Sequence, residues 1–426
     1  MMKKMRSAIT LAAALLGLSS AHASDLAVVH TKVYTAPNAA PLLDATVLIH
    51  NGQIAAVDLA KRVALPPDTT VLTCKGCVVM AGFWNAHVHF MGPQWLNVAQ
   101  QPTAQLEREL QDMLTHSGFT SVVDTGSDLD VTAALRTRIE SGDVLGPRIR
   151  TAGLPLFPAH ALPYYLADLP PALKAKLGQP VSPDEASIFV AKNLAAGADI
   201  TKLFTGSIVA PEQVAPMRED IAAAAVAESH RRGVLVFTHP TNLEGVRVAL
   251  ASDVDVLAHA PEVVHDIDAS VLRDMASKHM TIIPTLQLLS QDRNIADIRK
   301  LVLDAHRAGV RLVFGTDTGF LTDYDVSEEF RQLALTGLDA DEILTMLTTA
   351  PAELFKVSKH QGRVAPGMDG DLTILGSDPQ KRGVSAFSDI RYAIRGGRVL
   401  FSGAGAAGAT TSTRLSPAGT APAAAR

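Results

Sequence analysis

The stretch MAGFWNAHVHFMGP, residues 80–93, places His87 and His89 on either side of a single valine. Residues two apart on a β-strand point to the same side, so both imidazoles would face one spot. The pair alone is weak evidence, because 14 histidines in 426 residues give about half an H-x-H by chance. A strand with two solvent-facing histidines is the plain alternative. Residues elsewhere in the chain must show whether His87 and His89 share a binding target or simply face solvent.

Short apolar runs alternate with helical segments from residue 81 to residue 360. Eight runs have the length and composition of strands: FWNAHVH (83–89), TSVVDTG (120–126), PRIRTAG (147–153), DITKLFTG (199–206), VLVFTHP (234–240), VDVLAHA (254–260), MTIIPTL (280–286) and RLVFGTDTG (311–319). Helical segments lie between many of them and several end at glycine, as helix C-termini commonly do. This alternation predicts an α/β protein with a (β/α)8 TIM barrel. A doubly wound sheet is the alternative, although no Gly-rich phosphate loop follows the first strand.

The two ends of the chain read differently from the middle. Residues 24–80 and 361–402 consist of short strand-like runs, and Asn51-Gly52 is a strong hairpin signal. We expect these two segments to build one small β-sandwich domain from both chain ends. Residues 403–426 are rich in Gly, Ala, Ser, Thr and Pro and are expected to be a disordered tail.

Residues 1–23 have the pattern of a cleaved signal peptide. A basic start is followed by an apolar run over residues 9–18 and by the small-x-small sequence AHA at residues 21–23. The apolar run is too short for a membrane anchor, and no lipobox cysteine follows it. The expected location is therefore periplasmic or secreted. Cys74 and Cys77 precede a strand rather than open a helix, which favours a local structural pair over a redox motif.

The charge balance limits the partners. Without residues 1–23 the chain keeps 35 Lys and Arg against 43 Asp and Glu, a net charge of about −8. A mildly acidic surface argues against nucleic acid and against anionic membranes as partners. The expected partner is a small-molecule substrate, and a homo-oligomer remains possible.

The residues able to bind a metal fall late in the predicted strands, where a barrel of this kind carries its chemistry. They are His87, His89, Lys202, His239, His259 and Asp317. Taken singly, Lys202 could be a surface lysine, His239 a loop histidine and Asp317 a helix N-cap. Taken together they indicate a metal site, because neutral imidazoles and carboxylates bind borderline cations such as zinc.

The ordered set H-x-H, Lys, His, His, Asp resembles the amidohydrolase superfamily, near its imidazolonepropionase-like and prolidase-like exported members. The resemblance covers nearly the whole mature chain, through APGMDGDLTIL (365–375) and IRGGRVLFSG (394–403). It implies a binuclear site, commonly with zinc, in which His87, His89 and Asp317 hold the buried metal. His239 and His259 would hold the more exposed metal.

The same resemblance implies that CO2 carboxylates the amine of Lys202, which then bridges both metals. An unmodified ammonium has no lone pair to offer a metal. Mononuclear imidazolonepropionases lack the bridging lysine, so Lys202 argues against that reaction. It also argues, with the signal peptide, against a cytosine or adenosine deaminase.

The activity that this resemblance implies is hydrolysis of C–N amide bonds by a metal-bridged hydroxide, with Asp317 as proton shuttle. N-acyl amino acids, dipeptides, aryl amides and cyclic amides are the candidate substrates. A lactonase or phosphotriesterase-type esterase on the same site is the alternative. A non-catalytic binding protein on a barrel scaffold is the alternative from another class.

Substrate contacts are expected from the loops that follow the strands. The longest of these loops covers residues 155–183. Candidate contacts are His160, Tyr164, Tyr165 and Tyr324, with Asp323 and His265 as further candidates. Arg150 near the third strand could pair with a substrate carboxylate. Surface packing is the alternative role of all these side chains.

Overall fold

The computed structural model describes residues 25–404 and 410–411. The predicted signal peptide, residues 1–23, and most of the predicted tail lie outside the described residues.

The chain begins with five strands of the small β-domain. They are β1 (Leu26–Val33), β2 (Leu42–His50), β3 (Gln53–Leu59), β4 (Thr70–Thr73) and β5 (Val78–Ala81). Asn51 and Gly52 have φ values of 50° and 79° and join β2 to β3, with His50 opposite Gln53. Positive φ at both turn positions is what a two-residue hairpin requires, so the predicted hairpin is confirmed. Cys74 and Cys77, between β4 and β5, form a disulfide with Cα atoms 5.4 Å apart.

The central part of the chain alternates strands and helices. Its strands are β6 (Phe83–Val88), β7 (Phe119–Asp124), β8 (Arg148–Thr151), β9 (Thr201–Phe204), β10 (Gly206–Ala210), β11 (Gln213–Pro216), β12 (Val236–His239), β13 (Val256–Leu257), β14 (Thr281–Ile282) and β15 (Arg311–Leu312). Its helices are α1 (Thr103–Met113), α2 (Leu129–Glu140), α3 (Pro171–Lys174), α4 (Pro183–Ala195), α5 (Glu219–Arg231), α6 (Leu243–Ala251), α7 (Ala269–Ser277), α8 (Ile295–Arg307), α9 (Ser327–Thr336), α10 (Ala340–Leu347) and α11 (Thr349–Leu354).

Eight of these strands run parallel in two groups, and each of the eight predicted runs overlaps one of them; only β7 begins one residue before its run. β6, β7 and β8 form one sheet, and β9, β12, β13, β14 and β15 form the other. Backbone hydrogen bonds join the two sheets at both edges: the N–H of Phe204 donates to Leu156 at 2.9 Å, and the N–H of Ala86 donates to Phe314 at 2.8 Å. The hairpin β10–β11 stands apart from them. The architecture is mixed α/β and TIM-barrel-like.

Local sequence explains where several helices start and stop. Pro183 opens α4 after Ser182, whose hydroxyl accepts a hydrogen bond from the N–H of Glu185. Asp339 and Glu342 form a complete capping box at the start of α10. Gly337, with φ of 98°, ends α9 in the left-handed conformation that glycine tolerates best.

Two apolar clusters pack on opposite sides of the parallel strands. The larger one fills the space between the strands and the helices, with Leu106 and Leu110 of α1 among its fully buried members. The smaller one lies inside the strands, includes Trp84 and Phe237, and is closed by Phe355 just after α11. The interior is therefore filled where the strands begin, which leaves space where they end.

The chain returns to the β-domain through β16 (Leu372–Leu375), α12 (Pro379–Arg382), β17 (Ile390–Arg395), β18 (Arg398–Ser402) and β19 (Thr410–Thr411). β16 pairs antiparallel with β5, so strands from both chain ends share one nine-stranded sheet. β1 is bent across it, because its first half pairs with β4 and its second half with β5. The sheet has its own buried cluster with residues from both ends.

The prediction of a tail without structure from residue 403 is wrong in one place. Thr410 and Thr411 form β19, which pairs antiparallel with β4. A composition rich in small residues lacks the side chains for a core, but backbone pairing at a free sheet edge needs none. In the part of the chain that the structure describes, no helix is long and apolar enough to cross a membrane.

Candidate metal centre

The six predicted metal ligands come together where the parallel strands end. His87 and Lys202 lie late in β6 and within β9, and His239 is the last residue of β12. His259 follows β13 by two residues, and Asp317 follows β15 by five. All are buried except His89, whose side chain is 14% exposed. Strands from both sheets thus deliver one group of ligands to one place.

An irregularity in β6 turns the two histidines of HVH inward. Strict alternation would put Phe83 on the same side as His87, yet Phe83 packs in the outer cluster and Trp84 in the inner one. The pairing of β6 with β7 shifts register twice along the strand. After the second shift Val88 faces outward, and His87 and His89 both face the interior. The shared direction of the pair was predicted correctly, but uniform alternation along the strand was not the reason.

His87 and His89 aim their Nε2 atoms at one point beside Asp317. Nδ1 of His87 donates to the carbonyl of Ala258 at 2.6 Å, and Nδ1 of His89 donates to the carbonyl of Gly126 at 3.1 Å. A carbonyl oxygen only accepts, so in each neutral ring Nδ1 carries the proton and Nε2 presents a lone pair. The two Nε2 atoms are 3.3 Å apart.

The carboxylate of Asp317 adds a third electron-rich atom to this point. Its Oδ1 lies 3.1 Å from Nε2 of His87 and 3.0 Å from Nε2 of His89, but at angles that form no hydrogen bond. Burial lowers the pKa of His87 to about 4, so this ring is neutral at pH 7. Burial by itself raises the pKa of Asp317, whereas positive charge or an N–H donated from either imidazole would lower it well below its usual range.

Such an arrangement is repulsive without a cation and favourable with one. One ligand atom each from His87, His259 and Asp317 lies within 4.8 Å of the others. The buried oxygen Oδ1 of Asp317 lacks a hydrogen-bond partner, as a metal-binding atom should before the metal is bound. The donor set therefore fits a divalent metal ion.

His239 and His259 form the other half of the ligand group. Their ring centroids are 4.5 Å apart, and the ring of His259 lies 4.4 Å from that of His87. Nδ1 of His259 is 2.7 Å from the hydroxyl of Thr285, which fixes the ring orientation as outer hydrogen bonds of metal ligands commonly do. The ring of Phe204 stacks on His239 at 4.9 Å. Burial lowers the pKa of His259 well below its usual value, so this ring also has a free lone pair.

Lys202 lines the same cavity as the histidines and is 2% exposed. Burial lowers the pKa of its amine to about 7, and the charges of Asp317 and Asp124 offset this only in part. A substantial fraction of the amine is therefore uncharged at neutral pH.

Backbone geometry after β15 holds Asp317 in place. Asp317 has φ of 62°, and its N–H donates to the carbonyl of His87 at 2.9 Å. Two residues on, Gly319 has φ of 102°, and a Cβ there would lie 1.8 Å from the carbonyl oxygen of His89. Only glycine fits this close approach, which brings the end of β15 against the HVH segment.

Asp124, which the sequence reasoning missed, helps to orient the ring of His89 through the turn that follows β7. The Asp124 carboxylate is fully buried and accepts hydrogen bonds from the hydroxyls of Thr151 and Ser127. It thereby fixes the turn that contains Gly126, whose carbonyl receives Nδ1 of His89. In the sequence only its position at the end of a predicted strand marked Asp124, and an aspartate at that position is equally typical of a helix N-cap.

A cavity of about 470 Å³ opens onto the six ligands. Its wall is largely apolar and aromatic, and it includes Tyr164, Tyr165, Phe157, Phe204, Phe320, Leu166, Ile208, Leu288 and Leu289. Three acidic residues also line it: Glu212, Glu262 and Asp292. Sequence reasoning missed these acids. Glu262 follows His259 by three residues, and that spacing was the only signal for it.

Two of the four predicted substrate contacts, Tyr164 and Tyr165, do line this cavity. The expectation for His160 and Tyr324 is corrected, because neither belongs to the lining. His160 sits exposed at a turn with φ of 58°. The hydroxyl of Tyr324 accepts a hydrogen bond from Gln94 at 3.1 Å, and its ring packs against the outer cluster.

The further candidates also lie elsewhere. Arg150 stacks over Phe355 and Trp84, at 4.9 and 5.5 Å from their ring centroids, at the opposite end of the strands from the cavity. Arg150 lines a pocket with Ile200 and Leu235, which precede β9 and β12, and so lies at the start of the neighbouring strands. His265 is exposed and lies 2.9 Å from Asp266. Asp323 caps the turn before α9 by accepting from the N–H of Asp325.

Comparisons with known proteins agree with this arrangement. The model of the Amidohydrolase family matches residues 78–400. The solved structure of an amidohydrolase is 25% identical with a TM-score of 0.73, over 89% of this chain and 99% of that one. A Xaa-Pro dipeptidase with bound methionine is 21% identical with a TM-score of 0.74, over 89% and 100% of the two chains.

The ochratoxinase of A. niger is 18% identical with a TM-score of 0.71, over 88% of this chain and 96% of that one. At 18% and 21% identity the similarity concerns the fold alone. A search of curated proteins found no match. The family match spans both sheets of parallel strands and the return to the β-domain, so the chain belongs to the amidohydrolase family.

Proposed function

We propose that the protein hydrolyses the C–N bond of small-molecule amides with two divalent metal ions, preferably zinc. Membership of the amidohydrolase family makes it a hydrolase acting on C–N bonds, and metal dependence is general in this family. The observation that carries the proposal is the convergence of lone pairs at His87, His89 and Asp317, with Nε2 atoms 3.3 Å apart. Imidazole and carboxylate ligands suit zinc.

We assign His87, His89 and Asp317 to one metal and His239 and His259 to the other. Lys202 would join them after its neutral amine adds CO2, which forms a carbamate and releases one proton. A carbamate has two oxygens, so it can bridge two cations where an ammonium can bind none. Burial of Lys202, with a pKa of about 7, supports this step because only the uncharged amine reacts with CO2.

When bound, the metal ions would supply Lewis acidity at the substrate carbonyl and an acidified water. The chain's own residues would do the rest. Asp317 would accept a proton during attack and return it to the leaving nitrogen. The aromatic side chains of Tyr164, Tyr165 and Phe320 would hold the organic part of the substrate and exclude water from the reacting bond.

Membership of a family of hydrolases that act on C–N bonds supports an amide substrate over an ester. We further propose that the eight parallel strands complete a (β/α)8 barrel, supported by hydrogen bonds at both joints of the two sheets. The nine-stranded sheet would fold over its own cluster as a β-sandwich. The signal-peptide pattern of residues 1–23 supports a periplasmic or secreted location.

The test is a hydrolysis panel on mature protein reconstituted with zinc. The panel pairs N-acyl amines, anilides and dipeptides with lactones and organophosphate esters, read by chromatography. Amide cleavage that disappears after chelation and returns with metal is the expected result. Cleavage of the esters alone would move the protein to the lactonase and phosphotriesterase class and refute the proposal. A matched Asp317→Asn variant, loaded in the same way, controls for hydrolysis by free metal.

A further inference from the structure

The cavity over the metal centre carries an unusual charge distribution for an enzyme related to dipeptidases. Among the described residues that line it, the acids other than Asp317 are Glu212, Glu262 and Asp292. The lining includes no arginine, and its basic side chains are Lys202 and the four candidate ligand histidines. The basic groups are thus all at the metal centre, where Glu262 also lies against His239.

The acids lie on three different loops around the mouth of the cavity. Glu212 lies in the hairpin between β10 and β11, Glu262 in the loop after β13 and Asp292 in the loop before α8. Glu262 has a side-chain exposure of 21%, with Oε1 at 3.2 Å from Nε2 of His239. Partial burial and, after it, the charge of Glu262 raise the pKa of Asp292. The carboxylates of Glu262 and Asp292 are therefore close enough to interact electrostatically.

Aromatic rings line the same cavity as these acids. The ring of Tyr165 meets that of Phe320 edge to face with centroids 5.6 Å apart, and Tyr164 meets Tyr165 in the same way at 5.7 Å. Phe157 and Phe204 form a second pair at 4.4 Å. Electron-rich ring faces attract apolar and cationic groups and offer nothing to a carboxylate.

We propose that this cavity selects amides whose outer part is apolar or aromatic and carries no negative charge. Substrates with a carboxylate next to the scissile amide, such as N-acyl amino acids and dipeptides, are disfavoured. The inference rests on the proposed amide hydrolysis and names its substrate class. Of the four candidate classes of the sequence analysis it keeps aryl amides and cyclic amides, and it adds simple N-acyl amines, which also lack an anionic group.

The position of Arg150 strengthens the argument. A guanidinium that could pair with a substrate carboxylate was expected near the third strand. Instead it lies over Trp84 and Phe355, at the closed end of the strands. Outside the metal centre, the described lining therefore holds no cationic side chain to pair with a substrate carboxylate, whose lost hydration would be costly.

A matched pair of compounds tests the charge preference directly. N-acetyl-2-phenylethylamine and N-acetyl-L-phenylalanine contain the same scissile bond and ring and differ only by one carboxylate. For the zinc-loaded enzyme at low salt we expect kcat/KM to favour the uncharged compound by about tenfold or more. Raising the salt to about 0.5 M should narrow the ratio, because it screens charges in the open part of the cavity.

Variants of Asp292 locate the cause. Asp292 is exposed, so its replacement should leave the fold intact. Asp292→Asn should lower the ratio of kcat/KM between the uncharged compound and the carboxylate by about threefold, and Asp292→Lys should lower this ratio further. Asp266→Asn is the control, since Asp266 is an exposed acid on the loop of Glu262 that does not line the cavity. The control should keep the ratio of the wild type.

The outcomes separate this inference from the proposed function. Cleavage of both compounds with equal or greater kcat/KM for the carboxylate overturns the charge preference and leaves amide hydrolysis standing. A ratio that Asp292→Lys does not change also overturns it. If neither compound is cleaved, calorimetric binding of the same pair to the metal-loaded enzyme decides. Tighter binding of the uncharged compound then supports the preference, and equal or tighter binding of the carboxylate overturns it.

Discussion

Glu329→Gln should make the protein more stable at alkaline pH and change little at acidic pH. Glu329 is fully buried in α9. One carboxyl oxygen accepts the N–H of Gln287 at 2.6 Å, and the other has no hydrogen-bond partner. Burial, only partly offset by backbone donors, raises the pKa of Glu329 from 4.5 to about 8. The carboxyl group is therefore neutral in the folded protein at pH 7.

The size of the effect follows from the difference in pKa between the folded and unfolded chains. Below pH 4.5 the group is protonated in both states and imposes no penalty. Between pH 4.5 and 8 only the unfolded chain loses the proton, so stability falls by about 1.4 kcal/mol per pH unit. Above pH 8 the penalty stays constant at about 5 kcal/mol. Glutamine mimics the neutral acid and does not titrate, so the variant escapes this loss.

The assay is the free energy of unfolding in urea, measured for both proteins at a series of pH values from 5 to 9. The difference between variant and wild type should be small at pH 5 and should grow by about 4 kcal/mol by pH 8. All other titrations are common to both proteins and cancel. Glu328→Gln is the matched control, because Arg331 holds the pKa of Glu328 below its usual value. Its difference should not grow above pH 5.

A difference for Glu329→Gln that stays constant from pH 5 to pH 8 would refute the reasoning, because the buried carboxyl would then titrate as in water. The result also concerns the metal centre. Glu329 holds the loop that begins at Thr285, and the hydroxyl of Thr285 lies 2.7 Å from Nδ1 of His259. A loss of order in this loop above pH 8 would therefore disturb the orientation of His259, a candidate metal ligand.

Three further predictions concern the site. Asp317→Asn should lower kcat for amide hydrolysis by about 10²–10⁴-fold with the fold intact by circular dichroism, because a proton carrier is lost; an unchanged kcat contradicts its role. Lys202→Ala should leave fewer than two metals per subunit by elemental analysis, and two metals in this variant exclude a bridging lysine. Gly319→Ala should lower the midpoint of thermal unfolding and the metal content, since its Cβ would lie 1.8 Å from the His89 carbonyl; Gly367→Ala, with nothing within 4 Å of the new Cβ, is the control for positive φ.

The parallel strands could be predicted because their residues repeat one pattern. Each of the eight sequence runs is short and apolar, and each overlaps one parallel strand of the structure. The hairpin at Asn51-Gly52 was predictable for a local reason, since φ is positive at both residues. The pairing of Thr410–Thr411 with β4 was not, because it depends on a strand more than 300 residues away and involves no characteristic side chain.

The convergence of the six candidate metal ligands on one cavity could be predicted because strand ends determine their position. The direction of His87 and His89 was right, although it depends on register shifts in β6 that no sequence pattern reveals. Of the four candidate substrate contacts only Tyr164 and Tyr165 line the cavity, because loop conformation decides where such side chains lie. Tyr165 reaches the cavity and Tyr324 does not, since Gln94 takes its hydroxyl. Asp124 was missed because its role, orienting the turn behind His89, appears only in three dimensions.

Glu262 belongs both to the acidic lining of the cavity and to the surroundings of a candidate metal ligand. Substrate charge preference and metal binding therefore cannot change independently at this residue. Asp292 and Glu212 are exposed on their loops, so substitution there would alter the field of the cavity alone. Glu262 is different, because Oε1 lies 3.2 Å from Nε2 of the buried ligand His239. Removing its charge would weaken the negative field of the cavity and also change the surroundings of that nitrogen, which has no hydrogen-bond partner. A change of substrate preference toward carboxylates is therefore more accessible through Asp292 than through Glu262, even though Glu262 lies nearer to the reacting bond.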